Sequence, residues 1–317
     1  MEDKSTKIIF SIFTPVYNRS HLITRVYNSL VKQTIDKFEW IVVDDGSDDD
    51  IDKKLQMFKK EAYFPIKIIR QKNSGKHIAW NNALKIARGE LFIPADSDDE
   101  FLPETLQTFY DIYYNLPRNI KENIYGVVVL CKDQFGKIVG DIFPLSPFIT
   151  TNLDLAFKYK IRGEKWGCLK TEILKKYLFP NVASTHFPES YIWFQLSRDY
   201  YIYCVNIPLR IYYINEGRNL CEKPNYNIRK KRAAAYFYYQ MWLLNECNDY
   251  LFLYHNFLDL IKEFTKTWLY CLLIRSNPLR VIIDLKDIKS KLFSISTFFL
   301  GVISLIYIYI KKFISHN

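Results

Sequence analysis

The sequence has no closely spaced cysteine pair, no Gly-x-Gly-x-x-Gly loop, no internal repeat and no low-complexity linker. Its six cysteines, Cys131, Cys168, Cys204, Cys221, Cys247 and Cys271, are scattered, and no His/Cys spacing around His77 or His186 supports a zinc site. The opening stretch, MEDKSTKIIFSIFTPVYNR, is charged and then strand-like, without a hydrophobic core and cleavage site. Reduced thiols and a cytoplasmic location are therefore expected. Because no glycine fingerprint follows the first strand-like run, a dinucleotide-dependent Rossmann oxidoreductase is excluded. Zinc fingers, RNP-like motifs and basic helices with heptads are also missing, which argues against nucleic acid as a partner despite a net charge of +10.

What is present supports a large fold. The chain has 317 residues, 49% hydrophobic and 17% aromatic, enough for one α/β domain plus an appendage and too apolar for global disorder. The charge is uneven. From Tyr201 onward there are 16 Lys and Arg against 8 Asp and Glu, so most of the positive excess lies in the last third. A basic segment next to a hydrophobic tail suits an anionic membrane surface.

Hydrophobic periodicity predicts strands over Lys7–Pro15, Phe38–Val43, Ile66–Arg70, Leu91–Ala95 and Gly126–Cys131. Helices are expected over Arg19–Gln33, Ile51–Ala62, Lys76–Arg88 and Pro103–Asn115. This alternation implies a mainly parallel sheet with helices on both faces, the Rossmann-like α/β arrangement. Asp141–Lys160 reads as an irregular connection, Lys170–Tyr177 and Ser190–Tyr200 as helices, and Ile202–Ile214 as one or two strands. Two long aromatic and basic helices are expected at Tyr226–Asn245 and Tyr250–Ile274. The implied division is an α/β domain at 1–224 and a helical region at 225–317.

In open α/β sheets ligands bind beyond the carboxyl ends of the strands. Here four strand ends carry polar loops: Thr14–Arg19, Asp44–Ser47, Asn73–Lys76 and Asp96–Asp99. Asp96-Ser97-Asp98 suits a diphosphate: one carboxylate can hold a ribose and the other a hard divalent cation with open positions for phosphate. An acidic turn is by itself a common solvated loop. Asp44-Asp45 can accept from a base N–H or ribose hydroxyls, and Asn73-Ser74-Gly75-Lys76 places a lysine at a helix start, where phosphate or a base edge fits.

FTPVYNR (13–19), VVDDGS (42–47), NSGK (73–76) and DSDD (96–99), in this order, resemble family 2 glycosyltransferases of the GT-A fold, of bacterial surface-polysaccharide type. The likeness covers the first hundred residues closely and the next hundred and ten more loosely. It implies nucleotide contacts from Thr14, Pro15, Tyr17, Arg19, Asp44 and Asp45, and puts Lys76 near the base or phosphates. Asp96 would face the ribose, Ser97 would line the nucleotide-sugar pocket, and Asp98 would ligate Mn²⁺ or Mg²⁺. A UDP-sugar is the donor the resemblance implies.

Members of this family are inverting and place a carboxylate base in the second half of the catalytic domain, often as Glu-Asp or Asp-Asp. This chain has no Glu-Asp there; its Phe187-Pro188-Glu189-Ser190 makes Glu189 the candidate base, with an ordinary acidic helix cap as the bland alternative. Trp166 and Trp193 are candidate acceptor shelves, although tryptophans more often pack in cores. Arg210 and Arg218 are candidate phosphate contacts. Leu292–Ile310 has no charged residue, lies between Lys289/Lys291 and Lys311/Lys312, and carries Ser294, Thr297, Gly301 and Ser304 at helical spacing. It is near the roughly 20 residues that cross a bilayer. A span, an in-plane helix and a buried core helix all fit this segment, and lysines at both ends give no orientation. A lipid-linked saccharide acceptor follows from that tail and the basic third. The competing readings are a nucleotidyltransferase, which would need a Gly-rich start, and a non-catalytic membrane-tethered nucleotide-sugar-binding module, which would have lost Asp96 or Asp98.

Overall fold

The computed structural model describes residues 7–214 and 226–314. Arg218, Cys221 and the 224/225 boundary lie outside the described residues. The chain divides into two compact units, Met1–Phe179 with Gln195–Glu216, and Pro180–Phe194 with Gly217–Asn317.

The first unit is built on strands β1 (Phe10–Val16), β2 (Phe38–Asp44), β3 (Ile66–Arg70), β4 (Leu91–Pro94), β5 (Glu100–Phe101), β6 (Ile124–Lys132), β7 (Phe148–Thr150), β8 (Lys165–Lys170) and β9 (Tyr201–Ile211). They form one sheet in the order β3-β2-β1-β4-β8-β6-β9-β5, with β7 also paired to β9. The β3-β2-β1-β4 portion is entirely parallel. Beyond it the sheet is mixed: β8 runs antiparallel to both β4 and β6, while β6 and β9 are parallel. Helices α1 (Ile23–Val31), α2 (Ile51–Glu61), α3 (Lys76–Ile86) and α4 (Thr105–Asn115) follow the strands as the periodicity implies.

Both sheet faces are covered by aromatic clusters that the alternation of strand side chains dictates. On one face Trp40 of β2 meets Tyr27 of α1 and Phe58 of α2, the last two rings stacked at 4.0 Å. On the other, Phe13 and Phe92 pack against Trp80 of α3, which also meets Phe179. The fully buried Glu39 on β2 interrupts this apolar pattern. Its carboxylate accepts from Ser11 Oγ (2.8 Å), Arg88 N (2.8 Å) and Arg88 Nε (2.9 Å), and pairs with Lys67 at 3.0 Å. Burial alone would raise its pKa, but these donors outweigh it and hold the carboxyl below its ordinary range.

Strand β8, which the sequence pattern does not predict, ends at Lys170, and of the helix expected over Lys170–Tyr177 only Thr171–Leu174, α6, forms. Gly167 in the middle of a four-residue apolar run reads as a breaker, so the strand leaves little sequence signal. The irregular 141–160 stretch contains only β7 and a π-helical turn, Asp154–Lys158. A six-residue helix, α5 (Arg118–Asn123), precedes β6, and α7 (Ser190–Asp199) precedes β9.

The second unit is helical: α8 (Tyr226–Glu246), α9 (Asn248–Tyr254), α10 (Phe257–Leu273), α11 (Leu279–Asp284) and α12 (Ile288–Ile314). The single helix expected over Tyr250–Ile274 is broken between α9 and α10 because Asn256 caps α10, its side chain accepting from Asp259 N at 2.9 Å. Phe264 and Trp268 of α10 are buried at the centre of this unit. Ile288–Ile310 is long and apolar enough to cross a membrane, with a mean hydropathy of 2.0.

Candidate active site

The parallel order β3-β2-β1-β4 sets four strand-end loops side by side. After β1, Asn18 adopts a left-handed φ of 51°. It is held there from both sides: its N–H donates to Ser47 Oγ (2.9 Å), and its side-chain oxygen accepts from Asp48 N (2.8 Å). The first loop is thereby fixed to the second. Strain of this kind costs about 1–3 kcal/mol and persists where surrounding contacts over-determine it.

The second loop is tied in turn to the third. Asp44 accepts from Ser47 N at 2.8 Å and lies 3.5 Å from Arg70 Nε. Asp45 Oδ1 accepts from Gln71 Nε2 and Ser74 N, both at 2.7 Å, and Oδ2 accepts from Gly75 N at 2.9 Å. The Asp45 carboxylate is thus turned to the Gln71–Gly75 loop and shapes the approach to α3. Gly46, with φ +81°, lies so close to this loop that a Cβ would sit 3.0 Å from Asn73 N. A side chain there would be both strained and crowded.

The fourth loop gathers charge. Lys76 Nζ, at the start of α3, donates to Asp96 Oδ1 at 2.5 Å, and Arg19 Nη1 donates to Asp98 Oδ2 at 2.6 Å. Arg25 donates to the Asp98 carbonyl at 3.0 Å, with its guanidinium 3.6 Å from the Tyr213 ring centre. All four side chains of the two ion pairs are partly exposed, between 26% and 39%. Cations from β1 and α3 therefore face carboxylates from β4 across one solvent-accessible patch, with the half-exposed Tyr17 on the same β1 loop. Burial opposes ionisation of Asp96, but the charges of Lys76, Arg210 and Arg19 prevail and hold it below the ordinary carboxylate range.

Beneath this patch lies a support that sequence reasoning did not identify. Asp99 is buried and accepts from Asp96 N at 2.8 Å, closing the loop on itself. Arg210 of β9, also buried, reaches Asp99 at 3.4 Å and Glu164 at 3.5 Å. Burial pushes the Asp99 carboxyl up to about 8; Arg210 opposes the rise, while Asp96 and Asp98 add to it. The DSDD run signals an acidic loop but not which carboxyl turns inward, and nothing local marks Arg210 as its partner.

Three sequence expectations need correction. Arg210 is buried between Asp99 and Glu164 rather than open to a phosphate. Thr14 is fully buried, its hydroxyl accepting from Trp40 Nε1 at 2.9 Å, so its side chain lies in the core rather than against a nucleotide. Trp166 is 3% exposed, stacked on Phe101 at 4.9 Å and donating to the Pro94 carbonyl. It is no acceptor shelf. Pro15 is half-buried at the end of β1, and Ser97 is buried within the acidic loop.

Glu189 belongs to the segment grouped with the helical unit. It caps α7: its carbonyl accepts from Ile192 N (3.0 Å) and Trp193 N (3.4 Å). Within that unit the following residues are anchored on α8, Ser190 Oγ donating to Tyr239 Oη (2.9 Å) and Tyr191 packing on Tyr238 and Trp242. Trp193 is half-buried. His186 contacts the Tyr236 hydroxyl at 3.3 Å and His77 is buried in α3; among the described residues no three His, Cys, Asp or Glu side chains form a metal cage. The acidic loop still fits a hard cation of the kind that takes one or two carboxylates and completes its shell with phosphates and water.

In an open α/β sheet a ligand is expected at these strand ends, and an acidic loop opposite basic residues suits a phosphorylated one with a cation. The chain belongs to glycosyl transferase family 2, whose sequence model matches residues 11–176. Over 148 residues it is 42% identical to a poly(ribitol-phosphate) beta-glucosyltransferase of Bacillus spizizenii, a match covering 46% of this chain and only 22% of that protein. It is 27% identical over 167 residues to the putative teichuronic acid biosynthesis glycosyltransferase TuaG of Bacillus subtilis, covering 53% of this chain and 62% of that one. The fold is shared with S. aureus TarS 1-349 in complex with UDP-GlcNAc (TM-score 0.57, 21% identity, 92% and 89% coverage). It is also shared with a mannosyltransferase of Pyrobaculum calidifontis in complex with GDP-Man and Mn²⁺ (TM-score 0.53, 15% identity, 96% and 89% coverage).

Proposed function

We propose that this chain is a metal-dependent, inverting glycosyltransferase that moves a sugar from a UDP-sugar to a hydroxyl of a lipid-linked saccharide. It would act at the cytoplasmic face of an anionic membrane, in the synthesis of a bacterial surface polysaccharide. The observation that carries the donor reading is the charge patch at the strand ends, where Lys76 and Arg19 face Asp96 and Asp98. Cations poised beside carboxylates can exchange partners, taking up a diphosphate while the carboxylates turn to ribose and cation. Tyr17 offers a ring to the base, and Asp45 and Asn18 keep the surrounding loops rigid, which lowers the ordering cost of binding.

In the reaction the acceptor oxygen bonds to the anomeric carbon as the bond from that carbon to the diphosphate oxygen breaks. Glu189 receives the hydroxyl proton, and the nucleoside diphosphate leaves with the electron pair, so one displacement inverts the configuration. Mn²⁺ or Mg²⁺ bound through Asp98 would supply positive charge to the leaving diphosphate. Trp193, one turn beyond Glu189, is the candidate surface for the acceptor sugar. The 42% identity to a poly(ribitol-phosphate) glucosyltransferase supports a surface-polymer acceptor. The test is Glu189→Gln: donor binding should persist while transfer to a saccharide acceptor is lost. Unimpaired transfer would remove Glu189 as the base.

A further inference from the structure

Helix α12 seats small and polar residues among the side chains it packs inward and is apolar outside. Ser290, Ser294 and Thr297 are buried, and Gly301 lies so close to α10 that a Cβ would sit 2.3 Å from Trp268 Cβ. Trp268 Nε1 donates to the Ser294 carbonyl at 2.8 Å. The opposite stripe, Leu292, Ile295, Phe299, Ile303, Ile306 and Ile310, recurs every three or four residues and is 51–74% exposed. Small residues on the helix-packing side and large apolar ones on the outer side are the arrangement that lipid selects and water does not.

The face extends beyond α12. Phe257, 67% exposed at the start of α10, has its ring 5.7 Å from Phe293, and Leu253 and Leu258 beside it are 71% and 65% exposed. Charge identifies the surface it fits. From residue 226 on there are 13 Lys and Arg against 6 Asp and Glu, and no acidic residue lies within α12.

Length alone would let α12 cross a bilayer. Its packing argues otherwise. Contact with α10 and its surroundings runs from Phe293, against Phe264, to Leu305 and Ile308, against the Ala233, Leu269 and Leu273 cluster. Alongside, α10 carries the ion pairs Lys262–Asp259 (2.9 Å) and Lys266–Glu263 (2.6 Å). A crossing α12 would draw the Glu263–Lys266 pair, which flanks Phe264 and so lies level with Phe293, to the edge of the hydrocarbon, or leave α10 and bare its serines and threonine there. Lying flat requires neither.

We infer that α12, with the exposed α9–α10 junction, is an in-plane docking face that enters one leaflet of an anionic bilayer without crossing it. This deepens the membrane-surface reading given above, and its failure is separable from failure of the donor site. The experiment is flotation of the full chain with phosphatidylcholine vesicles, with and without phosphatidylglycerol, beside Ile295→Glu/Phe299→Glu, and with tags at both termini probed for sidedness in cells. Flotation should rise several-fold with phosphatidylglycerol and fall at least tenfold in the double variant, whose nucleotide binding stays intact, and both tags should lie on the cytoplasmic side. Tags on opposite sides would overturn the in-plane geometry. Flotation absent, or unchanged by the double substitution, would overturn the lipid face. Lipid-free self-association abolished by the same substitutions, without flotation, would assign the face to a second copy of this chain.

Discussion

In the sheet unit the large apolar side chains, Trp40, Trp80, Phe13 and Phe92, point inward, and polarity is concentrated where strands end. In α12 the pattern is reversed: Ser290, Ser294 and Thr297 are inside, while Phe299, Ile303 and Ile306 face outward. Each pattern makes sense against its own surroundings. Water rewards the first by removing apolar surface. For the second, α10 supplies a partner for the small face, and only a non-aqueous neighbour rewards the large one. On the readings proposed above, one region presents charge to a phosphorylated ligand and the other presents apolar surface to lipid.

Four substitutions would break or sharpen this contrast. The largest effect is expected at the proposed base, where Glu189→Gln should lower the transfer rate by about 10²–10⁴-fold in steady-state kinetics with donor affinity preserved. In the sheet unit, Trp80→Ala should cost about 3–5 kcal/mol in urea unfolding, because it empties the cluster of Phe13, Phe92 and Phe179. Phe299→Ala, an equally drastic truncation on the outer face of α12, should stay within about 0.5 kcal/mol in lipid-free buffer. A large loss at Phe299 would mean that the outer stripe is covered by protein.

Glu39→Gln should cost about 1–3 kcal/mol at neutral pH, since it turns one accepting oxygen into a donor facing Arg88 Nε and Lys67 Nζ and removes the charge that pairs with them. The folded pKa of Glu39 lies below its unfolded value, so its contribution is complete above the unfolded carboxylate pKa of about 4.3. It is lost as pH falls through the lower folded value. The stability gap between wild type and Glu39→Gln should therefore narrow below about pH 4 in pH-dependent urea melts.

The parallel half of the fold was legible because its strands are continuous apolar runs of ordinary length, each closed by a polar loop. β8 was not, with a glycine dividing Trp166 from Cys168-Leu169, and the α9–α10 break was hidden because Asn256 alone marks it. At the site, residue types and strand ends located Lys76, Arg19, Asp96 and Asp98, which the structure brings together. Sequence could not say which way a side chain turns. Thr14 and Trp166 proved to be core, Asp45 is turned to a neighbouring loop, and Arg210 and Asp99 form a support assembled from distant strands.

The most direct measurement is calorimetric titration of the full chain with UDP, GDP and their sugars, with and without Mn²⁺, beside Asp98→Ala. The expected result is metal-enhanced binding of UDP compounds that disappears in Asp98→Ala while its folding is unchanged. Failure of well-folded wild type to bind any of these nucleotides would contradict the donor site at the strand ends.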